Sequence, residues 1–157
     1  MKEVGIIFGE VGIREFRFKV SGELKQSDYI KIFNVKDGWI LAQVASITKF
    51  LDEREGERTI ARASVIGYKD VASVLRMPKT PFSPGDKVFP ADKELVSQTL
   101  GLGDERGAYI GMLDGTDVKV FINVETLVAK HASILAKTGS GKSYTAAVLI
   151  EELIEKG

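Results

Sequence analysis

Two glycines around a single serine, followed at once by lysine and serine, constrain this chain more than any other stretch. The run is Ala136-Lys137-Thr138-Gly139-Ser140-Gly141-Lys142-Ser143. Successive backbone N–H groups converge on one point only where the chain turns through positive φ, and glycine reaches that region without steric cost. The spacing is that of a phosphate-binding loop (Gly, four residues, Gly, Lys, then Ser or Thr), with Ala136 in place of the first glycine. In such a loop the lysine ammonium meets the β- and γ-phosphates and the serine hydroxyl ligates Mg²⁺. A helix starting there aims its amides and its dipole at the anion.

The motif demands a strand before it and a helix after it, and both patterns are present. His131-Ala132-Ser133-Ile134-Leu135 is short and largely apolar, which predicts a buried strand of a parallel sheet. Ala146, Leu149, Ile150, Leu153 and Ile154 fall on one helical stripe, with Glu152 and Lys156 at i, i+4 spacing on the polar side. The sequence ends at Gly157, one helix past the loop. Phosphoryl transfer also needs an acidic residue for Mg²⁺ and water on a later strand, and often a neighbour's arginine. The expectation is therefore the N-terminal part of a longer ATPase, not catalytic by itself.

Residues 1–128 read as a β-barrel domain and 129–157 as the truncated start of an α/β, RecA-like phosphate-loop domain. Glu15 to Val20 alternates, with Phe16, Phe18 and Val20 on one face and charges on the other. Ile30 and Ile32 continue the alternation within Tyr29 to Phe33, and Asp37-Gly38 marks a hairpin. Long strands are expected over Trp39 to Leu51 and Thr59 to Tyr68, paired around Gly56, with a charged, solvated loop at 52–58. Ala61, Ala63, Val65 and Gly67 share one face, and such small residues suit the inside of a tight barrel. A turn or short helix is expected over Asp70 to Met77, an extended piece at Lys87 to Phe89, and one or two helical turns over Lys93 to Leu100. Tyr109 to Leu113 and Val118 to Ile122 flank a second Asp-Gly hairpin at Asp114-Gly115. The fold class is mostly β: a small antiparallel barrel of six or seven strands, with a sandwich as the alternative. Residues 123–130 bridge it to the phosphate loop.

Composition narrows the functional classes. Lys+Arg and Asp+Glu are both 22, so no net charge points to nucleic acid. The absence of cysteine excludes disulfides and thiolate metal sites and suits a reducing cytoplasm. A single histidine, His131, excludes a multi-histidine metal centre and is read as structural. No apolar run approaches the roughly 20 residues of a membrane span, and no secretory leader is visible, so a soluble cytoplasmic protein is expected. Gly9 to Gly12 reads as a bend rather than a nucleic-acid clamp, and Gly101 to Gly107 as a connection. Phe16, Phe18, Phe33, Trp39 and Phe50 read as barrel core in preference to base-stacking platforms.

Taken together, these parts resemble the archaeal HerA helicases. The resemblance is carried by Pro81-Phe82-Ser83-Pro84-Gly85-Asp86, by Asn123-Val124 through Lys130, and by Thr138-Gly139-Ser140-Gly141-Lys142-Ser143-Tyr144-Thr145. The barrel is similar to the HAS barrel of that family and to the barrels heading ATP synthase catalytic subunits. The resemblance implies a hexameric, ATP-driven helicase or translocase on double-stranded DNA. It would act with the NurA nuclease in end resection at double-strand breaks, the barrels assisting assembly and carrying the nuclease. The cofactors implied are ATP and Mg²⁺. Lys142 would contact the β- and γ-phosphates as the catalytic lysine, and Ser143 the Mg²⁺. Gly139, Ser140 and Gly141 would give backbone N–H groups, Tyr144 and Thr145 would lie near the α-phosphate, and Lys137 and Thr138 complete the loop. Competing readings are a rotary ATPase subunit with a crown barrel, and a free-standing barrel adaptor with a degenerate loop.

Overall fold

The computed structural model describes residues 2–52, 56–103 and 105–156. The chain divides into two compact units, Met1–Leu100 and Gly101–Gly157.

The first unit contains β1 (Gly5–Ile7), β2 (Glu15–Val20), β3 (Tyr29–Asn34), β4 (Gly38–Asp52), β5 (Gly56–Lys69), β6 (Leu75–Arg76), β7 (Lys87–Pro90) and α1 (Lys93–Leu100). Six strands run in the spatial order β2-β1-β7-β3-β4-β5, and β5 pairs back onto β2, closing an antiparallel barrel; β6 lies outside it on β5. Closure leaves none of the six with an unpaired edge along its whole length. The core follows from alternation. Phe16, Phe18, Ile30, Ile32, Ile40, Ala42, Val44, Ala61, Ala63 and Val88 all face inward and are buried. Large residues oppose small ones across the closing pair, Phe16 against Ala63 and Phe18 against Ala61. That matching is what lets two phenylalanine rings, 5.9 Å apart, fit so narrow an interior. Phe82 packs its edge on Phe16 at 5.4 Å and adds to the same core. Its loop is held by Asp86, whose carboxylate accepts from the Ser83 amide at 2.8 Å.

The expected hairpin around Gly56 is present, with Asp52 opposite Gly56; of the charged loop expected at 52–58, residues 53–55 lie outside the described residues. Asp70 to Met77 forms a turn held by the Asp70 carboxylate, which accepts from the amides of Ala72 and Val74 at 2.9 Å each, and then enters β6. The expected helical turns at 93–100 are α1. Gly9 to Gly12 is a bend between β1 and β2.

Two expectations need correcting. Phe33, Trp39 and Phe50 are not core residues: they are 53%, 38% and 39% exposed. Ile32 and Ile40 point inward, so Phe33 and its partner across the ladder, Trp39, must point outward, where Trp39 also meets Phe89 edge-on. The second correction concerns the hairpin of β8 (Ala108–Met112) and β9 (Lys119–Ile122), which is a separate two-stranded sheet and not part of the barrel. The pairing of β2 with β5 closes the ring without it.

A second packing layer lies on the barrel's outer wall. Lys31 and Leu41 are buried yet alternate away from the core, on the side of β4 and β5 where α1 packs with Val96 and Thr99 buried. The Lys31 ammonium pairs with the Asp92 carboxylate and sits 4.8 Å from the centre of the Trp39 ring. Asp92 also caps α1, accepting from the Leu95 amide at 2.9 Å. These bonds, from Lys31 first and then from Leu95, hold the Asp92 carboxyl below its ordinary acidity range.

The second unit continues from β9 into α2 (Val124–Ala129) and α3 (Lys142–Lys156). Asn123 caps α2, its side-chain oxygen accepting from the Thr126 amide at 2.7 Å, so the expected bridge at 123–130 is largely a short helix. Within this unit α3 packs against β8. Among the described residues no helix is long and apolar enough to cross a membrane.

Candidate functional site

The site is built from the glycines outward. Gly139 has φ of 81° and Gly141 φ of 89°, both in the left-handed region that side chains rarely adopt. A Cβ at either position would meet nothing within 4 Å, so the demand for glycine is conformational and not steric. The turn is closed by Ser140, whose amide donates to the Lys137 carbonyl at 3.2 Å and whose hydroxyl donates to the same oxygen at 2.6 Å. α3 begins at Lys142, directly after Gly141.

Lys142 folds back over the turn it follows. Its ammonium donates to the carbonyls of Ala136 and Lys137, each at 2.9 Å. The first α-helical bond runs from the Thr145 amide to the Gly141 carbonyl at 2.9 Å, and the Thr145 hydroxyl donates to that same oxygen at 3.2 Å. The amides of Lys142, Ser143 and Tyr144 therefore have no intrahelical acceptor by position. Residues 136–145 contain two lysines and no carboxylate. Positive-φ glycines, helix-start amides and an ammonium tethered by two bonds make a surface suited to an anion with several oxygens.

The sequence-predicted residues fall together here. Thr138, Gly139 and Ser140 form the turn, Gly141 leads into the helix, and Ser143, Tyr144 and Thr145 occupy its first turn, all exposed to solvent. Lys137 contributes its carbonyl as the acceptor for both Ser140 and Lys142. The strand expected at 131–135 carries no ladder partner among the described residues, and Leu135 is 89% exposed. A parallel strand exists only through its neighbours. His131 is exposed instead of packed. The apolar stripe of α3 is partly covered at Ala146, Leu149 and Leu153, whereas Ile150 and Ile154 are exposed.

Residue-type reasoning missed two features. The acceptors of the Lys142 ammonium are backbone carbonyls, which every residue type offers. Glu152 and Lys156, read as a helix-surface pair, each bond elsewhere: the Tyr109 amide donates to Glu152 at 2.9 Å, and Lys156 donates to the Glu105 carbonyl at 2.8 Å.

Comparison with known proteins bears directly on this unit. The family described as "Helicase HerA, central domain" matches residues 108–157, from β8 through α3. A probable helicase of Methanocaldococcus jannaschii is 30% identical over 174 residues, covering 96% of this chain and 33% of its own length. The DNA double-strand break repair helicase HerA of Pyrococcus furiosus is 26% identical over 178 residues, covering 97% of this chain and 31% of its own. The protein of the same name from Sulfurisphaera tokodaii is 44% identical over 81 residues, covering 52% of this chain and 16% of its own. The chain thus spans about a third or less of each of these relatives. Matched along its central-domain segment, and aligned nearly end to end with two of these three relatives, the chain is similar to a part of the HerA-type helicases.

Proposed function

We propose that this chain supplies the nucleotide-gripping loop and the adjoining barrel of an ATP-dependent DNA helicase or translocase. The observation that carries the reading is the loop itself: two positive-φ glycines and a lysine ammonium tethered over them, with no carboxylate from 136 to 145. A carboxylate there would repel a triphosphate, whereas Lys137 and Lys142 attract one.

Bound Mg²⁺-ATP would supply the phosphoryl group whose transfer drives movement. The chain's own part is to hold and neutralise it. Amides of Gly139 and Gly141 would face the phosphate oxygens, that of Ser140 on releasing the Lys137 carbonyl, with Tyr144 and Thr145 lying beside the α-phosphate. The Ser143 hydroxyl would ligate Mg²⁺. Lys142 has a third N–H beyond the two given to carbonyls, and that proton would reach the β- and γ-phosphates without dismantling the loop. Tethering fixes the ammonium before the ligand arrives, which lowers the ordering cost of binding.

Titration with a fluorescent ATP analogue tests the reading. The chain binds it in the presence of Mg²⁺, and Lys142→Ala weakens it by at least about tenfold. Equal affinity in both proteins would remove the basis for the assignment. We further propose, on the family resemblance, assembly as a hexamer around double-stranded DNA and docking of the NurA nuclease through the barrel. A pull-down of NurA by residues 1–157 checks the docking, and a barrel that captures none rules it out. The relatives described above are named as helicases, so the rotary-subunit reading is not carried forward.

A further inference from the structure

In the C-terminal half of α3, Glu152 and Lys156 both bond to main chain. Glu152 and Lys156 lie one turn apart on the same helical face. Glu152 accepts from the Tyr109 amide, and Lys156 donates to the Glu105 carbonyl. The opposite end of α3 begins in the phosphate-loop turn, where Lys142 and Thr145 bond back to carbonyls of residues 136, 137 and 141. A single helix of about 20 Å thus joins the two sets of bonds without a break.

The segment gripped by Glu152 and Lys156 directly follows α1 in the chain and is itself seated on β9. The Phe121 amide donates to the Leu102 carbonyl at 2.7 Å. Gly103 has φ of 73°, and a Cβ there would lie 2.6 Å from the Phe121 carbonyl, so the backbones approach as closely as only glycine permits. Gly107 is seated as closely, a Cβ there lying 2.6 Å from the Ile122 carbonyl, and the chain is held again at Glu105 and Tyr109.

We propose that α3 is a rigid strut through which occupancy of the loop is read at the main chain of residues 105–109, the connection leading out of the barrel unit. This rests on the loop's holding a nucleotide. Binding draws the helix start toward the phosphates, and a helix resists bending, so its far end must shift against the atoms it grips. Because those atoms are a backbone amide and a backbone carbonyl, the shift enters the chain path itself.

The test is hydrogen exchange of residues 105–112 in the full 157-residue chain, with and without Mg²⁺ and a non-hydrolysable ATP analogue. Affinity for the analogue is measured on the same samples. The analogue changes exchange there by about fivefold in the unaltered chain, the lower end of ordinary couplings between sites. Loss of that response in Glu152→Ala or Lys156→Ala, with analogue affinity kept within about twofold, supports the strut. Should Glu152→Ala fail to fold, Lys156→Ala decides alone, since it leaves only an exposed carbonyl behind. Binding without any exchange response in the unaltered chain overturns the strut and leaves the loop reading intact, as does a full response kept by both variants. Absence of binding in the unaltered chain defeats the loop reading first and the strut with it.

Discussion

The barrel and the phosphate-loop helix are held together in opposite ways. In the barrel Phe18, Ile30, Ile32, Ile40 and Val88 are fully removed from water, and the ring of strands pairs with itself. The loop and α3 contain no fully buried side chain among the described residues, and Tyr144 and Ile154 are each 76% exposed. The loop keeps its shape through short-range bonds from Ser140, Lys142 and Thr145. Stability is thus concentrated where no chemistry is proposed, and the amides proposed to meet an anion sit where almost no apolar surface is at stake. Such segregation lets a loop change its bonds on binding without disturbing a core.

The strongest way to break this contrast is to cut into both regions and compare the losses. Phe18→Ala removes a fully buried ring and is expected to cost about 4 kcal/mol in urea denaturation. Ile154→Ala on exposed α3 is expected to change stability by less than about 0.5 kcal/mol. Comparable losses would mean that the two regions share one core. Next in size is Asp92→Ala, which takes away both the cap of α1 and the partner of a lysine whose side chain is only 4% exposed. A cost of about 2 kcal/mol is expected, held down because the Asp92 carboxylate is half-exposed and screened by water. Its acidity is stronger in the folded state than in the unfolded chain. That stabilisation is complete above about pH 4 and is lost as pH falls through the lower folded value. Denaturation below pH 4 should show this loss in the native protein and a smaller one in Asp92→Asn.

Much of this contrast was legible in the residues, and the illegible parts have definite causes. Alternation at Phe16 and Phe18, with alanines at 61 and 63, announced a narrow closed interior, because both patterns are local. Phe33 and Trp39 misled because aromatic character was weighed above parity: beside inward Ile32 and Ile40 they had to face out. Lys31 reads as a surface charge, and nothing in its strand predicts that α1, some sixty residues later, would pack on that wall. Assigning β8 and β9 to the barrel failed for a related reason. Closure depends on residues 15–19 meeting 60–64, a long-range event without local signature. The loop was legible because positive φ is a requirement that only certain residues meet, whereas the carbonyl partners of Lys142 leave no trace in residue type.

Smaller effects sharpen the comparison on the loop side. Lys142→Ala is expected to lower affinity for an ATP analogue at least about tenfold, equivalent to about 1.4 kcal/mol, while moving the urea midpoint very little. The smallest expected effect belongs to Lys137→Ala. Its carbonyl, which anchors Ser140 and Lys142, survives the substitution, so only an exposed side-chain charge is removed. An exposed charge near an anion contributes about 0.5 kcal/mol, so a two- to threefold loss of affinity is expected at low salt. At about 0.5 M salt the screening length shrinks to a few ångströms, and the two proteins should bind alike. The deficit of Lys142→Ala should persist under the same conditions, because that ammonium is tethered within direct hydrogen-bonding reach of the ligand. If salt erased both deficits equally, Lys142 would be acting as a diffuse charge, and the tether seen over the glycine turn would have no part in binding.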